Sequence, residues 1–319
     1  SQNDNGRYCQ CESCAKVDAE EGSPSGTMIR FVNAVAEEVE KEFPDVLVQT
    51  FAYDYTRIAP KITKPRKNVL IRYCTIEACF RHPLEDESCS MNKDRFAKEL
   101  KEWGEICDNI SIWDYATNYS CYLAPFPNYE VLRKNIRFFY ENKATHFFEE
   151  DTPATRAGDL NDLQGYLIGK LMWEPDMSEE KYQALIDEFL EAFFGAGWRN
   201  IRKYMDILLE VTADKRMGCF EGMDLCHPID DPQAETYIPL PYCKVNPNSY
   251  LRDLTARIDE VCELWNETFK MAADAAERER IDRCKLSVDY FKLFCIEHDR
   301  EKMTFEEIRA YEREVALYY

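Results

Sequence analysis

Residues 110–115 read ISIWDY, an unbroken apolar run that ends in a carboxylate and an aromatic ring. Three further runs have this form, each followed by acidic, aromatic or amide residues: VLVQTFA at 46–52, NVLIRY at 68–73 and HFF at 146–148. Runs without apolar-polar alternation are typical of strands buried on both faces of a parallel sheet. We therefore expect four parallel strands with polar side chains at their carboxyl ends, where parallel α/β folds carry their chemistry.

Patterns typical of helices separate these runs and continue after them. Each predicted strand is followed by a long loop, and apolar residues recur at helical spacing near 25–43, 93–107 and 129–141. This succession is that of a (β/α) barrel. We expect an α/β fold, with the C-terminal half of a (β/α)8 TIM-like barrel over residues 1–155. A mainly α-helical region should follow over 156–319, with its last helix at 304–319.

Half a barrel leaves two sheet edges and the inward faces of its strands uncovered. The first residues, SQNDNG, also read as the loop after a strand that precedes the sequence. We therefore expect the N-terminal half of the barrel to lie on a longer parent chain.

The composition limits the classes of partner and the cellular location that we expect for the chain. The formal net charge is -20, which disfavours nucleic acid and anionic membranes because polyanions repel one another. No run approaches the roughly 20 apolar residues that a membrane-spanning helix requires. Fourteen cysteines are scattered along the 319 residues, and this favours a reducing environment over a secreted location.

The sharpest local motif is CQCESC at residues 9–14. Three thiols within six residues can converge on one structural Zn²⁺, although a disulfide or unbound thiols would also fit. The candidate ligands are Cys9, Cys11, Cys14 and, from a loop of the same predicted barrel face, Cys79, with His82 and Cys89 as alternatives.

Two groups of carboxylates are candidates for acid/base chemistry. Asn3 and Asp4 form a tandem amide and carboxylate that can orient an acetamido group, although such a pair is also an ordinary turn. Glu149 stands beside Glu150 and Asp151, and mutual repulsion should raise at least one pKa of this group, as a general acid requires. The alternative interpretation of these three residues is a solvated acidic loop.

Aromatic residues flank further polar candidates. Aromatic faces stack on sugar rings while carboxylates accept hydrogen bonds from hydroxyl groups, yet aromatic residues also simply fill cores. The candidate sugar-binding residues are Tyr53, Asp54, Glu77, Trp113, Asp114, Tyr115 and Asn118, together with Asn3.

The sequence lacks the motifs that identify several other classes of enzyme. The sequence has no Gly-rich phosphate loop, no serine nucleophile elbow and no His-Glu-x-x-His zinc helix. His146 lies within an apolar run, and we expect it to be a core residue. The carbohydrate interpretation therefore stands ahead of nucleotide hydrolysis, esterase and metalloprotease chemistry.

The order of these motifs resembles the C-terminal part of the catalytic domain of glycoside hydrolase family 163. That domain is similar in plan to the barrels of α-glucuronidases and hexosaminidases. The segments that carry the resemblance are residues 3–4, 8–14, 31–33, 52–55, 76–79, 82–83, 113–115, 125–128, 171–175, 188–190 and 194–195.

The resemblance implies an endo-β-N-acetylglucosaminidase-like enzyme that acts on N-glycans, without a catalytic metal or organic cofactor. Asp4 and Glu149 would share the work of protonating the leaving oxygen and orienting the substrate's 2-acetamido group. Tyr53, Asp114 and Tyr115 would hold the sugar. The resemblance also implies a secreted or cell-surface protein, against the indication from the cysteines.

Two alternatives from other classes remain open on the sequence. One is a non-catalytic glycan-binding or scaffold module that keeps the aromatic residues but lacks a competent acid. The other is a helical interaction protein organised by zinc.

Overall fold

The computed structural model describes residues 4–151, 158–220 and 249–295, together with positions 304, 306, 307, 310 and 313. The helix expected at 304–319 lies largely outside the described residues, as does Asn3. Within the described ranges, no helix has both the length and the apolar character needed to cross a membrane.

The four apolar runs are the four strands of one parallel sheet. They are β1 (Val48–Ala52), β2 (Val69–Cys74), β3 (Ile110–Tyr115) and β4 (Ala144–Glu150), and they pair in the order β1-β2-β3-β4. The predicted α/β class and parallel strands are confirmed. Closure into a barrel needs more strands than these four, and it stays a prediction.

Helices precede, connect and follow the strands. Before the sheet lie α1 (Glu12–Glu21) and α2 (Ser25–Glu42), and a 3-10 turn (Asp54–Thr56) follows β1. A π-helical turn (Asn92–Ala97) runs into α3 (Lys98–Ile106) between β2 and β3, and α4 (Tyr129–Glu141) connects β3 to β4. After the sheet come α5 (Asn161–Trp173), α6 (Glu179–Phe194), a 3-10 turn (Gly195–Gly197), α7 (Trp198–Val211), a 3-10 turn (Arg252–Arg257), α8 (Ile258–Met271) and α9 (Ala275–Cys295).

One face of the sheet packs against helices. The Asn68 side chain at the start of β2 donates a hydrogen bond to the Ala36 carbonyl of α2, and the Tyr73 hydroxyl donates to the Phe96 carbonyl in the π-helical turn. Parallel strands that follow one another in sequence order, joined by crossovers of the same hand, have their connecting helices on one side of the sheet. Most strand residues on this face are buried, namely Thr50, Ala52, Val69, Ile71, Tyr73, Ile110 and Ile112.

The opposite face, here called the open sheet face, carries Phe51, Arg72, Trp113 and Phe148. The guanidinium of Arg72 lies 5.3 Å from the Trp113 ring centroid, and Phe148 meets Trp113 edge-on at 4.9 Å. Phe148 is nevertheless 42% exposed. The expectation that every strand is buried on both faces therefore holds for β2 and β3 but is wrong for the outer strands β1 and β4.

His146 on β4 is exposed, so its assignment to the core is wrong. It pairs in register with Ser111 on the open sheet face. An apolar run at the outer strand of a sheet buries only part of each side chain, and sequence pattern alone does not distinguish this from a central strand.

By its internal contacts the chain divides into two compact units. The first comprises Ser1–Ala116, Val131–Asp151 and Leu171–Asp176, and it contains the whole sheet. The second comprises Thr117–Glu130, Thr152–Lys170 and Met177–Tyr319. The segment Thr117–Glu130, which the sequence analysis placed with the barrel, thus clusters with the helices.

The helical unit is built around Trp265 of α8, which is fully buried. Its ring meets Tyr204 of α7 at 5.4 Å and Phe194 of α6 at 5.8 Å, both close to edge-on. Gly197 lets the turn before α7 approach α8, since a Cβ at this position would lie 2.8 Å from the Thr268 Cα atom. The three helices therefore share one aromatic core.

Buried Glu21 at the end of α1 fixes the loop between β1 and β2. Its carboxylate accepts hydrogen bonds from the Thr63 hydroxyl, the Ile62 and Thr63 N–H groups and the Arg30 guanidinium. Burial alone would raise the pKa of Glu21, but these donors outweigh it and lower the pKa to about 2.

We predict that Glu21→Gln destabilises the protein by about 3 kcal/mol at neutral pH, because the lowered pKa stabilises the ionised folded state. This contribution is complete above the ordinary glutamate pKa and disappears as the pH falls toward 2. Chemical unfolding at pH 7 and pH 3 measures it, with the exposed neighbour variant Glu20→Gln as control. Equal stability of Glu21→Gln and wild type at pH 7 would contradict the assignment.

Candidate functional site

The pairing of β3 with β4 sets Asp114 directly opposite Glu149, near the carboxyl ends of both strands. Both lie on the helix-covered side of the sheet, because side chains alternate along a strand and Trp113 lies on the open sheet face. Asp114 is buried and accepts a hydrogen bond from the Thr75 hydroxyl. Both carboxylate oxygens of Glu149 are shielded from solvent and have no hydrogen-bond partner among the described residues.

The surroundings of Asp114 and Glu149 favour their protonated forms. Burial raises the pKa of Asp114 to about 6, although hydrogen bonds from Thr75 and the Tyr115 N–H act against it. Burial, and then the charge of Asp114, raise the pKa of Glu149 well above its ordinary value. Within the described part of the chain, neither carboxylate forms an ion pair that would compensate its charge. At neutral pH the pair therefore retains a proton that can be donated.

A raised pKa was predicted for at least one of Glu149, Glu150 and Asp151, and Glu149 has one. The predicted cause was repulsion among these three residues, whereas the neighbouring charge is that of Asp114. Glu150 lies on the open sheet face, where it accepts a hydrogen bond of 2.6 Å from the Trp113 indole N–H.

Asp4, the other predicted acid/base residue, contacts Tyr53. It is exposed and accepts a 2.9 Å hydrogen bond from the Tyr53 hydroxyl. Burial and then this hydrogen bond raise the pKa of Tyr53. Asp54 is exposed and adopts a left-handed backbone conformation with φ of 47°. The predicted residues of the first two loops thus meet each other, while Glu149 meets Asp114.

Glu77 belongs to an ion-pair network. Its carboxylate accepts a 2.6 Å hydrogen bond from buried Arg57, which also donates at 2.6 Å to Glu99 of α3. The Arg57 guanidinium lies 4.8 Å from the Phe96 ring centroid. The carboxylate of Glu77 is thus engaged by a cation, an interaction that the sequence analysis missed because Arg57 is 20 residues away.

The remaining sugar-binding candidates, Trp113, Tyr115 and Asn118, do not share the same surroundings. Trp113 lies on the open sheet face, whereas Tyr115 is buried with its ring 6.4 Å from that of Phe80. Asn118 belongs to the second unit, where it is buried and its Nδ2 lies 3.2 Å from the Tyr250 hydroxyl. Its Oδ1 also accepts the Ser120 N–H at 3.0 Å, as in an Asx turn.

The thiols of residues 9–14 form a compact group. The Sγ atoms of Cys9, Cys11 and Cys14 lie within 4.8 Å of one another in an exposed position. The Cys14 N–H lowers the pKa of Cys11, and the hydrogen bond with Cys11 raises that of Cys14 to about 12. Cys79, predicted as their fourth metal ligand, instead lies in a second group with His82 and Cys89.

Residues 1–206 match a family model described as a domain of unknown function, DUF4838. The chain belongs to the DUF4838 family. No curated protein and no solved structure matches the chain. Because the description of the family names no activity, a function for this DUF4838 chain has to be argued from its site.

We predict that Glu149→Gln makes the unfolding free energy of the DUF4838 chain less sensitive to alkaline pH. A group with a raised folded pKa costs no stability below the ordinary pKa of about 4.5 and an increasing amount above it. Comparing the variant-minus-wild-type difference at two pH values removes the constant cost of the new amide. The difference should shift in favour of the variant between pH 5 and pH 8, in the direction that the raised pKa of Glu149 requires.

Glu150→Gln is the matched control, since it alters the adjacent residue on the opposite face of β4. The difference in unfolding free energy between Glu150→Gln and wild type should not change with pH in this way. Parallel stability profiles for wild type and Glu149→Gln would contradict a shared proton at the Asp114–Glu149 pair.

Proposed function

We propose that this protein is a glycoside hydrolase that cleaves a β-linked N-acetylhexosamine in glycans, in the manner of an endo-β-N-acetylglucosaminidase. The observation that carries the proposal is the solvent-shielded carboxyl pair of Asp114 and Glu149 at the carboxyl ends of neighbouring parallel strands. Glycosidases commonly use two carboxyl groups that have different pKa values because their surroundings differ.

Glu149 is the proton donor in this proposal. A general acid must be protonated at the working pH and must not be held by other hydrogen bonds, and the Glu149 carboxyl, which has no partner among the described residues, meets both conditions. It would transfer its proton to the glycosidic oxygen as the bond from C1 breaks and the substrate's acetamido oxygen bonds to C1. Water would then hydrolyse this intermediate at C1 and return a proton to Glu149. Asp114, which has the lower pKa of the two, is ionised while Glu149 carries the pair's proton.

Asp114 is the group that orients the substrate. An ionised carboxylate beside the acid can accept the N–H of the 2-acetamido group and direct its carbonyl oxygen toward C1. The Thr75 hydroxyl fixes the Asp114 side chain, and such fixation favours a single productive geometry. Catalysis of this kind requires no metal and no organic cofactor, because the nucleophile belongs to the substrate.

The open sheet face supports the barrel that the function would need. The contacts described from α2, the π-helical turn and α4 lie on its other side, while the open sheet face presents Phe51, Trp113 and Phe148. The proposal places the inward surface of a (β/α)8 barrel here, completed by strands of the parent chain. In this arrangement the carboxyl ends of β3 and β4 border the substrate site, and the Asp114–Glu149 pair, on the helix-covered side of those ends, would be reached past the loops that follow the strands rather than from the inward surface.

A non-catalytic glycan-binding module is the second candidate. The shielding of both Glu149 oxygens favours it, since a substrate would have to displace the groups that cover them. Tyr53, Tyr55 and Tyr8 would then be part of a sugar-binding surface, in which the rings of Tyr8 and Tyr55 already stack at 5.0 Å.

We predict that Glu149→Gln in the full-length parent protein lowers turnover of an N-glycan substrate by about 10²–10⁴-fold, the usual contribution of a general acid. The same variant should lose far less activity on an aryl N-acetylglucosaminide, because a phenolate of low pKa leaves without protonation. Release of glycan, followed by mass spectrometry, and release of the phenol measure the two rates.

The contrast between the two substrates separates acid catalysis from a folding defect, which would lower both rates together. Glu150→Gln serves as control and should retain both activities. Full N-glycan turnover by Glu149→Gln would remove this residue from the mechanism. Glycan binding without any turnover by the wild-type parent protein would establish the second candidate instead.

A further inference from the structure

The loop between β2 and the π-helical turn gathers three metal-binding side chains, a feature that the proposed function does not use. The Sγ atoms of Cys79 and Cys89 and a ring nitrogen of His82 all lie within 4.8 Å of one another. The Cys79 Sγ atom is 3.3 Å from the His82 Nδ1 atom. Zinc ligands in a tetrahedral site stand roughly 3.3–3.8 Å apart, given bond lengths of about 2.0–2.3 Å. Small side-chain adjustments would therefore bring all three atoms to bonding distance.

A buried asparagine holds this loop in place. Asn92 is fully buried, and its Oδ1 accepts the Cys79 N–H at 2.8 Å. Its Nδ2 donates to the Cys79 carbonyl at 2.8 Å and to the His82 carbonyl at 2.7 Å. The backbone of two of the three metal-binding residues is thus fixed by one side chain, which begins a π-helical turn of the kind often found at functional sites.

A second anchor lies farther along the same loop. The Leu84 N–H donates a 3.0 Å hydrogen bond to the buried Asn135 side chain of α4. The Cys89 N–H donates to the Asp86 carbonyl at 3.0 Å, and the Cys89 carbonyl accepts the Lys93 N–H at 2.9 Å. All three metal-binding residues therefore stand on backbone that is tied to neighbouring helices, which reduces the cost of ordering them around an ion.

We propose that Cys79, His82 and Cys89 bind one Zn²⁺ ion at a site separate from the thiols of residues 9–14. Two thiolates and an imidazole are a donor set that favours zinc over magnesium or calcium. His82 and Cys89 are half-buried, so water can reach the fourth coordination position. Binding releases the two thiol protons, and affinity therefore falls as the pH is lowered.

The site would stabilise the loop after β2. This loop carries Glu77, whose ion pair with Arg57 links β2 to α3. A metal that fixes residues 79–89 would thus support the framework on which the carboxyl end of β2 rests. The inference does not depend on the proposed glycosidase activity.

Metal binding is tested in the reduced chain with the Cys9→Ser, Cys11→Ser and Cys14→Ser substitutions combined, which removes the other thiol group. We expect one equivalent of Zn²⁺ by mass spectrometry of the intact protein and by elemental analysis. Replacement with Co²⁺ should give the visible spectrum of a tetrahedral ion with a thiolate-to-cobalt band. Adding His82→Gln or Cys89→Ser should weaken zinc binding at least about 10-fold, the lower end of what altered metal shells cost.

Cys121→Ser is the matched control, because Cys121 is also a half-buried cysteine but belongs to neither group. It should leave the stoichiometry unchanged. Since a substitution at Cys79 alters a buried residue, His82→Gln and Cys89→Ser carry the test, with circular dichroism to confirm folding. Absence of zinc from the triple-serine chain, or zinc retained in both loop variants, would overturn the proposal. A Cys79–Cys89 disulfide that forms in place of metal binding would overturn it as well.

Discussion

The register between β3 and β4 determines which side chains meet at the carboxyl edge of this sheet. The strands pair Ile110 with Ala144 and then Ser111 with His146, so that Thr145 is an extra residue. Without this bulge Asp114 would stand opposite Phe148, and Glu149 would lie one step farther along. A single inserted residue therefore creates the carboxyl pair and at the same time sets Phe148 against Trp113.

The electrostatic consequence follows from what surrounds the pair. Buried carboxylates are normally stabilised by a cation or by several N–H donors, as Glu21 and Glu99 are in this protein. Asp114 has the Thr75 hydroxyl and one backbone N–H, and the oxygens of Glu149 have no donor within the described residues. Such an arrangement lowers stability at neutral pH, and sites that sacrifice stability in this way are frequently functional.

Sequence analysis could predict the strands because each is an unbroken apolar run, and all four of those runs are strands. It could not predict which carboxylates meet, because the Asp114–Glu149 contact depends on one bulged residue in a non-local pairing. The partner of Glu77 and the separation of Cys79 from Cys9 depend in the same way on loops that fold back over long stretches of chain. His146 was misplaced for a different reason, namely that an apolar run does not reveal whether its strand lies at the edge of a sheet.

The measurement that tests the account most directly is infrared spectroscopy of the carboxyl groups at neutral pH. A protonated carboxyl absorbs as a C=O stretch that is well separated from the bands of an ionised carboxylate. We expect the difference spectrum between wild type and Glu149→Gln to contain the band of a protonated, weakly hydrogen-bonded carboxyl. A difference spectrum that contains only ionised-carboxylate bands would show that Glu149 has lost its proton, and it would contradict the shared-proton pair on which the proposed chemistry depends.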